Sequence, residues 1–109
     1  MNWINLTSTE QLNDIVKSKN YSIIFKHSTR CSTSLMAKRN FEKDWNKDSS
    51  IKLYYLDLLN FRTISTLVES LLGIKHESPQ VLLIKEGICH YYASHSEIDA
   101  EHIITQFHK

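Results

Sequence analysis

The stretch Tyr21-Ser22-Ile23-Ile24-Phe25-Lys26-His27-Ser28-Thr29-Arg30-Cys31-Ser32-Thr33-Ser34 decides how the rest of the chain is read. Tyr21 to Phe25 is a short run rich in β-branched and aromatic side chains, which predicts a largely buried strand. A polar loop, Lys26 to Arg30, follows. From Cys31 the spacing changes: Leu35, Met36, Ala37, Phe41 and Trp45 can line the buried side of a helix that runs to about Asp44. Cys31 therefore opens a helix just after a buried strand.

Upstream, Thr7 and Glu10 have capping-box spacing, and Leu12, Ile15 and Val16 form a helical stripe, so a first helix begins near Ser8. Downstream, Ile51 to Leu56 reads as a second strand. Asn60 can cap a third helix with Phe61, Ile64, Leu67, Val68, Leu71 and Leu72 on one face, and Gly73 closes it. Pro79 precedes a third strand, Gln80 to Ile84. Glu86-Gly87 is a hairpin turn into a fourth strand, Ile88 to Ala93. A last helix holds Ile98, Ile103, Ile104 and Phe107. The order α-β-α-β-α-β-β-α predicts an α/β fold: a four-stranded mixed sheet with helices on both faces. Its first β-α-β unit is parallel, and a hairpin forms its antiparallel edge. Residues 1–109 read as a single domain without repeats or linkers.

Composition narrows the function classes. A net charge of +1 argues against nucleic acid as a main partner, because phosphate binding leans on a positive excess. No apolar run exceeds the four residues Val81 to Ile84, far short of a bilayer span. Met1-Asn2-Trp3-Ile4-Asn5 lacks the charged start and apolar stretch of a signal peptide. The expectation is a cytoplasmic monomer with no membrane partner. Two cysteines, Cys31 and Cys89, make no disulfide framework, and in a reducing compartment both are free thiols.

Cys31 has the more informative setting. Unpaired backbone N–H groups and the positive end of the helix dipole favour a thiolate there. Arg30 is adjacent, His27 and Lys26 are close, and Lys38 and Arg39 follow on the helix, an electropositive setting that lowers a thiol pKa. An inert packing cysteine would sit among apolar neighbours instead. Ser34 stands where a dithiol redox helix carries its second cysteine, so exchange at Cys31 stops at a mixed disulfide until an outside thiol arrives. Cys89, between Ile88 and His90 on the edge strand, reads as a buried inert thiol; the alternative is a resolving or regulatory one. His27, Cys31, Cys89 and His90 make a zinc set only on paper, because adjacent Cys89-His90 is not a chelating pair, and no metal is expected. His95, His102 and His108 read as surface residues. Ala37 stands where a phosphatase-type Cys-x5-Arg loop needs arginine, and no glycine-rich phosphate loop exists.

Strand, loop, Cys-x-x-Ser and helix, then a proline before a strand and hairpin, resemble the thioredoxin fold. Together with Lys26-His27-Ser28-Thr29-Arg30-Cys31 and His76-Glu77-Ser78-Pro79-Gln80, the chain resembles the monothiol bacilliredoxin family of the bacillithiol system over essentially all its length. One departure is Ser32, where that family often has proline, which would stiffen the helix start. The resemblance implies a thiol–disulfide oxidoreductase. Its Cys31 takes bacillithiol from S-bacillithiolated proteins, and a second bacillithiol regenerates it. Bacillithiol is a co-substrate and no cofactor is bound. It further implies that Ser34 donates to the Cys31 sulfur, that Pro79 is cis and lies beside Cys31, and that Ser78 offers its backbone to the substrate. Read without the resemblance, Pro79 is a plain strand-start residue. The competing reading of the whole chain is a non-catalytic thioredoxin-like binding or adaptor module in which Cys31 is incidental.

Overall fold

The computed structural model describes residues 3–28, 31–45 and 51–107. In chain order these form β1 (Trp3–Asn5), α1 (Thr9–Lys17), β2 (Ser22–His27), α2 (Ser32–Asp44), β3 (Lys52–Asp57), α3 (Arg62–Leu72), β4 (Gln80–Lys85), β5 (Ile88–Ser94), a 3-10 turn (His95–Glu97) and α4 (Ala100–Phe107). The sheet has five strands in the order β1-β3-β2-β4-β5, not the four expected. The extra strand, β1, is a three-residue edge strand, too short to show period-2 alternation. β1, β3 and β2 run parallel, and β4 and β5 are antiparallel to their neighbours.

Alternation along the strands sorts the core into two layers. Ile24, Leu56, Leu82 and Ile84 pack with Leu12 and Ile15 of α1 and with Ile64 and Val68 of α3. Ile23, Phe25, Leu53, Val81 and Leu83 pack with Phe41 of α2, with Trp45 just beyond it, and with Ala100 and Ile103 of α4. Trp3 stacks its edge on Phe25 and donates Nε1–H to Glu42 at 2.7 Å, fastening β1 to α2.

Several local expectations shift. The cap of α1 is one residue later than the Thr7/Glu10 box: Ser8 Oγ accepts from the Gln11 N–H, and Gln11 Oε1 accepts from the Thr7 N–H. Asn60 does not cap α3; its side chain donates to Asp57 at 2.7 Å, and Phe61 occupies the cap position. On α2, Leu35 and Met36 are 43% and 65% exposed, while Ser34 is fully buried. The buried stripe therefore runs Ser34, Ala37, Phe41, Trp45, with a serine in an apolar slot. On α3, Leu71 is exposed rather than buried. Ile98 precedes α4 instead of lying within it.

The two glycines behave as read. Glu86 (φ 51°) and Gly87 (φ 78°) form a turn with both central residues left-handed, the geometry a two-residue hairpin requires. Gly73 ends α3 at φ 70° and donates to the Glu69 carbonyl. A Cβ at Gly73 would meet nothing within 4 Å, so only backbone strain opposes a side chain there. Gly73→Ala is therefore expected to cost about 1 kcal/mol, the penalty of a left-handed L-residue. The midpoint of urea unfolding measures it; an unchanged midpoint contradicts this account of the cap.

Candidate functional site

β2 is the central strand and all six of its residues are buried, including Lys26 and His27. Both belong to the strand, not to the loop after it as expected, and alternation sends them to opposite faces. The chain leaves β2 through Ser28, whose carbonyl accepts from the Cys31 N–H at 3.2 Å. Cys31 is the N-cap residue of α2 and is exposed, and its carbonyl accepts the first helical bond from Leu35.

Ser34 ties this junction together. Its Oγ lies 2.7 Å from His27 Nδ1 and accepts from the Ser28 N–H at 3.1 Å. The hydroxyl is thus committed below the helix start, and it is the Ser34 backbone N–H that acts on the sulfur. That N–H holds the Cys31 thiol below its ordinary pKa. Slight desolvation opposes it, and the N–H and hydroxyl of Thr33 add to it. No capping hydrogen bond to the sulfur is complete, so these groups favour the anion by proximity and orientation. Thr33 was not legible as a site residue, although its place in the first helical turn is the signal for one.

The basic side chains contribute differently from expectation. Arg30 lies outside the described residues. His27 is buried, and desolvation followed by the Lys38 charge lowers its pKa, so at neutral pH it supplies a hydrogen-bonded ring and no charge. Lys38 lies over the Tyr55 and Trp3 rings and pairs with Glu42 at 3.1 Å. Lys26 is fully buried on the α1/α3 face, with Nζ 3.2 Å from His76 Nδ1. Burial draws its ammonium down to about 8, and Glu69 partly offsets this.

The loop before β4 completes the site. The Ser78–Pro79 peptide is cis, as the resemblance implies. Gln80 is buried and braces this loop by donating to the Lys75 carbonyl at 3.0 Å, and the Pro79 carbonyl accepts from His95 N–H. Ser78 and Ser28 line one cavity of about 420 Å³ with Leu58, Leu59, Arg62, Ser65, Thr66, Glu69 and His76. Ser78 Oγ is buried there without a hydrogen-bond partner among the described residues.

Cys89 sits apart. It pairs through Ile84 of β4 with Ser22, at the start of β2, whereas Cys31 follows the end of β2. Five residue steps of about 3.3 Å separate those ends, on the order of 16 Å, against the ~7 Å limit on Cα separation in a disulfide. Burial pushes the Cys89 thiol up to about 11, and its Sγ donates to the Tyr91 carbonyl. The same separation divides the paper zinc set, and no cluster of three metal-ligating side chains occurs among the described residues.

A mixed sheet with helices on both faces, a cis-proline loop and an exposed cysteine at the N-terminus of α2 define a thioredoxin-fold protein. The chain is similar to a solved structure described as a candidate oxidoreductase with a thioredoxin fold, at 26% identity and a TM-score of 0.84, covering 96% of this chain and 93% of that one. Thioredoxin from Trypanosoma brucei brucei matches at 13% identity and TM-score 0.78, covering 98% and 88% of the two chains. Thioredoxin from Malassezia sympodialis matches at 19% and 0.72, covering 93% and 84%. Residues 4–103 match the monothiol bacilliredoxin BrxC family, and the chain belongs to it, a thioredoxin-fold oxidoreductase of that family. No helix among the described residues is long and apolar enough to cross a membrane.

The pH dependence of iodoacetamide alkylation tests the local electrostatics. Cys31 is expected to titrate below the free-thiol value of about 8.5, and Cys89 to resist alkylation until the protein unfolds. Ser34→Ala is expected to leave the Cys31 midpoint nearly unchanged, because the backbone N–H survives. It should cost about 1–3 kcal/mol of stability by stranding the half-buried Ser28 N–H and the buried His27 ring. A midpoint raised to the free value in Ser34→Ala would instead assign the effect to the hydroxyl.

Proposed function

We propose that Cys31 is the nucleophile of a monothiol exchange that removes bacillithiol from protein mixed disulfides. The Cys31 thiolate attacks the bacillithiol sulfur. The bond between that sulfur and the target cysteine breaks, and the target leaves as a thiolate. A second bacillithiol thiolate then attacks the new mixed disulfide. Bacillithiol disulfide departs and Cys31 is restored. One disulfide is consumed and one is formed: the target sulfur is reduced to a thiolate, and the incoming bacillithiol sulfur is oxidised to the disulfide level.

The observation that carries this reading is the placing of the two thiols. One is exposed and biased toward the anion at a helix start, and the other is half-buried and protonated at the far end of the sheet. Ser34 fills the position from which a second cysteine would resolve the intermediate. Family membership supports bacillithiol as the small thiol. The exposed Leu35 and Met36, one helical turn from Cys31, suit contact with a protein substrate.

Release of free target from a bacillithiol mixed disulfide tests it, with bacillithiol as the reductant. Wild type is expected to turn over, Cys31→Ser to lose activity entirely, and Cys89→Ser to keep nearly all of it. Intact mass should find bacillithiol on Cys31 when the second thiol is withheld. Full activity in Cys31→Ser would favour an adaptor module with an incidental cysteine. An internal Cys31–Cys89 bond would replace the monothiol cycle with a dithiol one.

A further inference from the structure

The cavity beside Cys31 has a composition that thiol exchange by itself does not explain. One wall is α3, through Arg62, Ser65, Thr66 and Glu69; the other is the end of β2 and the cis-proline loop, through Ser28, His76 and Ser78. Three features mark it as built for a negatively charged group. Arg62 places a guanidinium on its rim. Behind His76 lies the buried Lys26 ammonium, to which no carboxylate makes a salt bridge among the described residues. Ser78 Oγ is sealed from solvent with no partner there.

Each has a physical consequence. An ammonium only donates, so His76 Nδ1 is the acceptor from Lys26 and the ring proton sits on Nε2, adding a donor. Ser65 Oγ shares Nδ1 at 3.3 Å. The one carboxylate lining the cavity, Glu69, is occupied by the His76 N–H. The buried Lys26 ammonium has only the through-space attraction of Glu69 to offset its burial, and a buried hydroxyl without a hydrogen bond is costly. An incoming carboxylate accepts from Ser78 beside the Arg62 guanidinium, and the Lys26 charge behind His76 adds to the attraction. Ser28 belongs to this wall and also accepts from the Cys31 N–H, so the Cys31 backbone is one hydrogen bond from the cavity wall.

We propose that this cavity is a subsite for the carboxylate-bearing part of the small thiol exchanged at Cys31. The proposal rests on the reading of Cys31 given above. The subsite selects thiols that carry carboxylates, and it does so at the mixed-disulfide stage.

The test pairs two mixed disulfides of one carrier protein, made with mercaptosuccinate, which carries two carboxylates, and with 2-mercaptoethanol, which carries none. Arg62→Gln, an exposed substitution, is expected to slow mercaptosuccinate release about tenfold, the size of a lost charge-assisted hydrogen bond, and to leave 2-mercaptoethanol release unchanged. Equal loss on both substrates, or loss on neither, overturns the subsite. Succinate titration followed by amide chemical shifts gives a readout independent of turnover. Saturable shifts at Ser65 and His76, weakened about tenfold in Arg62→Gln, support the subsite even if the wild type releases no thiol, an outcome that would sink the exchange reading alone. Shifts that never saturate, or that are identical in the variant, overturn the subsite even in an active enzyme.

Discussion

Burial of β2 on both faces is the constraint on which the rest depends. A strand covered on both sides must satisfy every polar group it carries from within the protein. For Ser22 to Phe25 this is met by parallel pairing with β3, antiparallel pairing with β4 and apolar packing. Lys26 and His27 make the same demand with charged or polar heads, and two polar clusters answer it. On one face His27 engages Ser34, which fixes the start of α2. On the other Lys26 engages His76, which fixes the loop leading to Pro79. The two segments that border the site are thus held by adjacent residues of one strand.

This explains why the environment of the thiol is a matter of backbone more than of side-chain charge. The sequence places five basic residues near Cys31. Burial neutralises the value of two: His27 is held below its ordinary pKa, and Lys26 faces the other layer. Lys38 turns to Glu42 and the aromatic rings behind α2. Among the described residues, what acts on the sulfur is the first helical turn: the Ser34 and Thr33 amides, which cannot reorient, and the Thr33 hydroxyl.

The legibility of the chain follows the same division. Periodicity located four of the strands and all four helices, because each presents enough residues for a period to show. It missed β1, which is three residues long and pairs with β3 at the edge of the sheet. It misjudged the α2 stripe because a serine occupies an apolar slot, a substitution that makes sense only with His27 and Ser28 beneath it. Cys31, Ser34, Ser78 and Pro79 could be picked out through the motif, whereas Thr33, Ser65 and the pairing of Lys26 with His76 could not. Those groups meet through tertiary packing between residues far apart in the chain, and no local spacing encodes that meeting.

The register of the sheet separates the two thiols in chemistry as well as in space. Cys89 lies beside the irregularity where His90 is the extra residue of β5, packed against the layer under α1 and α3. A thiolate there would lose hydration, a cost that backbone hydrogen bonds from Tyr91 and Leu83 only partly offset, so the site keeps its proton. At the other end of β2 the helix start offers amides and open solvent together. One chain thus carries one thiol fit for exchange and one fit for packing. With Ser34 buried as a structural bridge, restoring a second cysteine at that position would remove the hydroxyl that joins α2 to β2. The single-thiol arrangement is therefore tied to the fold of the helix start, and a dithiol variant at position 34 would have to rebuild the contacts of His27 and Ser28 before it could resolve anything.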